Sequence, residues 1–472
     1  MAHWLRDRGY EAYAVRGGLA ALVGGTPVEL ATGEVGGAPT ARALAALRHA
    51  QFRRYSAGVL FSLIGSAVEA SAYGYVVLLL GGSPATLGVI GFLNTIPNLL
   101  FALPAGALAA RHDRRTILFV FQTANLLLAL ALAVLWATDS LTLALLGTLA
   151  VLGGTLGTMS FPAFQGLLAS TVPPRDLESA VALNSLSLQV ARFIGPALTG
   201  LLLAQAGPSW VFGFNAISFV GVLAALVTLR PARSSRSAAS VPTGSMGEAL
   251  GFMFKQRSLA GLMALLVLAG LFGTPPVQFM IPALVRDNLD GGPGTLGALS
   301  AAIGLGSLLG ALALLRLSRR PNKGEPLLLG FAITALALIA VGASTNVPLS
   351  VAVGAVGGVG GVLFVGLSTV VVQAMSPDEL RTRTMAIWAA AFVGVLPFGA
   401  LLTGGLAAWL GTGGAVAVDG VAMLVGAFAV LALRPQTAWL GCAALPETCV
   451  AATNPLALGV LSPEAEAQHP LS

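Results

Sequence analysis

The feature that most constrains this chain is a succession of apolar stretches, each about 20 residues or longer and so able to cross a bilayer as a helix. They fall at about 55–80, 85–109, 116–137, 141–169, 179–205, 210–229, 258–285, 294–315, 327–344, 349–375, 384–410 and 415–433. In lipid every backbone N–H and C=O must be bonded within the protein, and a helix does this inside one segment. Charged residues make up 9% of the 472 positions, against about 25% in a water-soluble domain. So few charges cannot cover the surface of a soluble fold of this size. The sequence therefore predicts an all-α membrane protein with twelve transmembrane helices.

The basic residues set an orientation, since Lys and Arg collect in cytoplasmic loops. With the N-terminus inside, 23 of the 25 fall in inner segments, leaving Arg286 outside and Arg192 within a span. Both termini are then expected in the cytoplasm, with the chain as a multi-pass protein of the plasma membrane. The net charge of +6 comes from short runs between apolar spans, so it points to a lipid surface and not to nucleic acid. The opening MAHWLRDRGYEAY has no apolar signal-peptide core. Cys442 and Cys449 match no metal-site spacing and read as free thiols. No phosphate-binding G-x-x-x-x-G-K-[ST] loop occurs, and no cofactor or metal is expected.

The second half repeats the first. GALA at 106–109 returns at 310–313, and TLRP at 228–231 is answered by ALRP at 432–435, both at an offset of 204. PATLG at 84–88 matches PGTLG at 293–297, offset by 209. TVPPRDL at 171–177 answers AMSPDEL at 374–380, and ALTG at 197–200 answers LLTG at 401–404. Five matches in one order predict two pseudo-symmetric six-helix bundles, 55–229 and 258–433. A cytoplasmic segment 1–54, a linker 230–257 and a tail 434–472 flank and join them.

Six plus six spans, with a G-x-L-x-x-R-x-x-R-R loop at Gly106–Arg115, resemble the major facilitator superfamily. FRRYSAGVLFSLIGSAVE, LPAGALAARHDRR and ALNSLSLQVARFIGPALTG resemble its siderophore- and macrolide-exporter branch, and GPALTG resembles a motif associated with antiporters. The resemblance implies alternating access around a site between spans 1, 2, 4, 5 and 7, 8, 10, 11, with spans 6 and 12 outside it. It also implies a cytoplasmic gate in which Arg111, Arg114 and Arg115 engage Asp378 and Glu379, while Arg316, Arg319 and Arg320 engage Asp176 and Glu178. The family's usual loop acid is replaced by Ala110, so a latch would depend on Asp113 or on the arginines alone. Residues 1–30 resemble the end of a rhodanese domain without its cysteine-bearing loop.

Glu69 lies near the middle of span one, where an ionisable group is costly and is by default functional. A carboxyl there can take a proton on one face and release it on the other, bind a cationic substrate, or exchange the two. The bland alternative is a structural acid bonded to a neighbouring helix. Arg192 either snorkels to the surface or faces the cavity, pairing with Glu69 or receiving an anion. Asp419, whose repeat counterpart is Asn215, reads as structural. Gln165 and Asn184 are the leading polar lining candidates, ahead of Asn94, Asn98, Gln122, Asn125, Gln189, Gln278 and Gln373. Gly195, Pro196 and Gly200 suit a kinked, closely packed helix.

The expectation is a secondary active transporter, a monomer that exports a small amphipathic drug- or siderophore-like molecule against an inward flow of protons. An importer or facilitator on the same fold stays open, as do a sulfurtransferase fusion remnant and a transport-inactive sensor.

Overall fold

The computed structural model describes residues 44–229, 245–318, 320, 322–377 and 379–439. Arg319, Asp378, both cysteines and the rhodanese-like segment lie outside the described residues. One unit runs from Ala46 onward and a second from Met1 to Ala45, of which Leu44 and Ala45 alone are described.

Six helices form the first half: α1 Ala50–Leu79, α2 Pro84–Arg111, α3 Arg114–Ala137, α4 Leu143–Ser170, α5 Leu177–Gln205 and α6 Pro208–Thr228. Their ends are written locally. Ser83 and Thr86 form a capping box ahead of Pro84, Asp113 caps α3 and Thr142 caps α4, each satisfying N–H groups that a helix start leaves without partners. α5 stops before Gly207, which takes a positive φ of 78°, a conformation glycine adopts without steric cost.

The second half holds α7 Arg257–Asp287, α8 Pro293–Leu317, α9 Gly324–Ala343 and α10 Val347–Met375. α7 winds as a π-helix over Ala269–Gly273 and Pro276–Met280, around Pro275 and Pro276, which have no N–H to give. The last two spans differ from the expected pair of uninterrupted helices. Arg381–Phe392 ends in a turn at 393–395, and a helix assigned as Leu396–Leu433 contains non-helical Gly411 at φ 74°. The apolar segment Arg381–Leu433 is 53 residues long, far too long for one crossing at 1.5 Å per residue. Residues 381–410 are therefore α11 and residues 412–433 are α12, with Gly411 as the hairpin between them. Eleven long apolar helices among the described residues thus give twelve crossings.

The expected linker is also more ordered than its composition suggested. Met246–Lys255 is a helix, started by a capping box between Ser245 and Glu248.

Two contacts join the halves in the same way. α5 crosses α8 at Gly200 and Gly297, and α11 crosses α2 at Gly404 and Gly88. The repeat offsets carry Gly88 onto Gly297 and Gly200 onto Gly404, so this is one contact made twice. A Cβ at Gly200 would stand 2.8 Å from the Gly297 Cα, and one at Gly404 2.7 Å from the Gly88 Cα. Between lipid-exposed helices there is no hydrophobic drive, and backbones approach through such small residues. Both crossings lie toward the end away from the arginine-rich loops. At the basic end Leu103 is 86% exposed and Leu309 52%, and Gly106 has open space beside it. The halves therefore meet at one end and part at the basic end.

Candidate functional site

Between the halves lies a cavity of about 830 Å³. α1 supplies Glu69 and Tyr73, α3 Gln122 and Asn125, α4 Phe161 and Gln165, α5 Asn184 and Arg192, α6 Asn215 and Phe219, α7 Gln278 and α8 Ser300. α10 and α11, expected to contribute, are not among its walls, while α3 and α6 are. α11 meets α2 backbone to backbone at Gly404 and Gly88, which takes that face of α11 out of the cavity.

Glu69 is half-buried in this wall. Its partner is Asn215 on α6, whose Nδ2 donates to Glu69 Oε2 at 2.5 Å. Asn215 is itself fixed, since the single Ser218 Oγ proton is shared between its Oδ1 at 3.0 Å and its carbonyl at 2.7 Å. Gly65, one turn before Glu69, makes room for this pair, because a Cβ there would collide with the Ser218 side chain. The placing of span 6 outside the site is corrected by this contact. The sequence signal available was Gly65 one helical turn from Glu69, which leaves a notch on the face that α6 fills.

Arg192 faces the cavity and is exposed within it, not drawn out to the surface. The alternative in which it pairs with Glu69 is corrected: none of the ion pairs among the described residues joins them, and Asn215 holds the carboxylate instead. Gln165 and Asn184 both line the cavity, toward its basic end. Asn125 donates to Gln122 at 3.2 Å, so α3 presents a paired amide face. Asn98 is engaged by Thr158 at 2.8 Å. Most of the polar groups therefore lie on the first half, with Gln278 and Ser300 on the second, and Phe161, Phe164, Phe219 and Phe279 add apolar character to the wall.

Pro196 and Gly195 are buried in α5. A Cβ at Gly195 would meet Ala67 and the Val68 backbone, so α5 lies close against α1. Thr199 adds a 2.9 Å bond to the Val68 carbonyl. Its counterpart Thr403 donates at 2.7 Å to Asp419, which is fully buried outside the cavity with Oδ1 lacking a partner.

The residues expected to form a gate are not brought together at the basic end. Asp113 does not latch across the halves; its Oδ2 caps α3 through Thr116 N at 2.9 Å. Arg114 donates to the Gly166 carbonyl at 2.9 Å and Arg115 to the Val227 carbonyl at 3.0 Å, both within the first half. Asp176 accepts from His49 at 2.7 Å. Arg111, Glu178, Arg316, Arg320 and Glu379 are exposed.

A family model described as a transmembrane secretion effector of the major facilitator superfamily matches residues 41–445. The multidrug efflux pump Tap of Mycolicibacterium fortuitum is 24% identical over 353 residues, covering 73% of this chain and 86% of that protein. The enterobactin exporter EntS of Shigella flexneri is 26% identical over 329 residues, with 68% and 76% covered. Among solved structures, an inward-facing, unoccupied bacterial homolog of the human lysosomal transporter Spinster superposes with a TM-score of 0.66 at 14% identity, covering 87% of this chain and 100% of that one. The nucleoside transporter NupG does so with a TM-score of 0.65 at 13% identity, covering 81% and 99%.

Proposed function

Because the chain belongs to the transmembrane secretion effector family of major facilitator transporters, we propose that it exports a small amphipathic molecule in exchange for protons. Membership of that family makes it a multi-pass membrane transporter and not a sulfurtransferase. The proposal adds direction, coupling and site. The multidrug and enterobactin exporters to which it is similar support export, and the mixed aromatic and amide wall suits an amphipathic cargo.

The observation that carries the reading is Glu69 in the cavity wall, held by Asn215. A carboxyl at mid-membrane depth is stable ionised only with donors around it, and neutral otherwise. Asn215 gives it one donor and the open cavity gives it water, so both forms are reachable in this state. Protonation on the far side, passage, and release into the basic-end cavity would then move one proton inward per cycle. Arg192 would remain available as the cavity's cation, for an acidic group of the cargo.

Orientation follows the arginines: the basic end is cytoplasmic, both termini lie inside, the protein works as a monomer in the plasma membrane, and the open state described is the inward-facing one. In the gate group, Arg111, Arg114 and Arg115 of the first half would engage Glu379 of the second, and Arg316 and Arg320 of the second would engage Asp176 and Glu178 of the first, when the halves close at this end.

The test is uptake of a panel of amphipathic compounds into inverted vesicles, with and without a proton gradient. Uptake that collapses with the gradient is expected, and Glu69→Gln should abolish the dependence on it. Retained pH dependence in Glu69→Gln would overturn coupling through this residue. Uptake in right-side-out vesicles alone would overturn export.

A further inference from the structure

A second pocket, of about 420 Å³, lies at the basic end, apart from the transport cavity, and is lined by Phe254, Lys255, Arg257, Leu433 and Arg434. We propose that it holds the headgroup of an anionic phospholipid. This inference rests on the chain spanning a membrane and is independent of the direction or coupling of transport.

Three cations line this pocket, and among the described residues no carboxylate does. Among the described residues, none of the three forms an ion pair. Like charges gathered in this way repel one another, and a phosphate placed among them removes the repulsion and accepts hydrogen bonds from all three. The pocket's depth identifies where that phosphate comes from. Arg257 is the first residue of α7, Leu433 the last of α12, and Arg434 its C-cap. Two spans leave the membrane here, at headgroup level.

The apolar members of the site point the same way. In the short helix Met246–Lys255, Ala249 and Met253 are fully buried against the protein. Met246, Leu250 and Phe254, one turn apart from each other, face outward and are 47%, 39% and 59% exposed. Leu433 beside them is 82% exposed. A helix with apolar side chains on a second, outward face is stable at an interface where acyl chains cover that face. A headgroup among the cations with its chains along Phe254 and Leu433 satisfies both halves of the pocket. Basic pockets between spans are a recurring form of such recognition. A soluble phosphate compound would use the cations and leave the apolar seat uncovered.

The experiment is native mass spectrometry of the purified full-length protein titrated with phosphatidylglycerol, cardiolipin or phosphatidylcholine. Adducts of the two anionic lipids should persist where those of phosphatidylcholine are lost. Each of Lys255→Gln, Arg257→Gln and Arg434→Gln should weaken them about fivefold, the equivalent of one cation near a membrane surface. Arg48→Gln, an exposed basic-end control, should not. Phe254→Ser keeps all three charges and should still weaken lipid binding. Unchanged anionic adducts in the triple variant would overturn the site. Adducts stripped by millimolar inorganic phosphate, with Phe254→Ser binding normally, would overturn the lipid in favour of a free phosphate.

Discussion

Among the described residues, two carboxyl groups lie in the interior of the spans, away from the helix ends, and their neighbours divide them. Glu69 has one amide donor and an open cavity beside it, which leaves both protonation states within reach. Asp419 is fully enclosed, and its recorded donor is the Thr403 hydroxyl, so it serves the packing of α11 on α12. Thr403→Val removes that bond at nearly constant volume and leaves the acid without a recorded donor. A loss of about 1–3 kcal/mol in stability is expected, read as a lower unfolding temperature in detergent with substrate affinity unchanged. A variant as stable as the parent would show that Asp419 finds another partner. Glu69 was identifiable from the sequence because an acid in an apolar span is conspicuous. Asn215 was not, since an amide in a span has many ordinary roles and only the packing of α6 onto α1 gives it this one.

At the scale of elements, the glycines of the repeated LTG motif mark where the halves cross. Gly200 and Gly404 are not hinges; they are the points at which α5 meets α8 and α11 meets α2 with backbones in contact. Gly200→Val would force these helices apart, and overpacking of this kind costs roughly 1–3 kcal/mol. The cost falls on the state closed at this end, so the population should move toward the opposite one. Expected are slower transport and greater labelling, by a membrane-impermeant maleimide added to right-side-out cells, of a cysteine placed at Tyr73. Unaltered labelling would mean that these crossings do not hold the end shut. The repeat was legible in the sequence as matching tetrapeptides. That the matching glycines touch across the halves was not, because a repeat specifies equivalence and not contact.

For the whole molecule, the basic end is open, and Arg114 and Arg115 are bonded within the first half. Arg115 bonds a carbonyl at the end of α6, where a cation also meets the negative pole of the helix. In the state closed at this end, the same arginines would face the second half's carboxylates. Arg115→Ala should therefore lower transport severalfold, since one charged hydrogen bond is worth about 1.5–3 kcal/mol when shielded, and should leave membrane insertion intact. Full transport by this variant would reduce the arginines to markers of topology.

Twelve crossings, their grouping into equivalent sixes and the end at which charge collects were determined by the sequence alone. Each follows from a local rule: lipid solvates no backbone, so spans must be helical, and it solvates no charge, so arginines stay at the ends. Which side chains share the cavity was decided by the tertiary structure. Glu69 takes Asn215 and not Arg192, and among the described residues α7 and α8 alone of the second half line the site. The first depends on how α6 packs onto α1 and the second on how the halves meet at the glycine crossings, and a one-dimensional pattern of apolar spans carries no record of either.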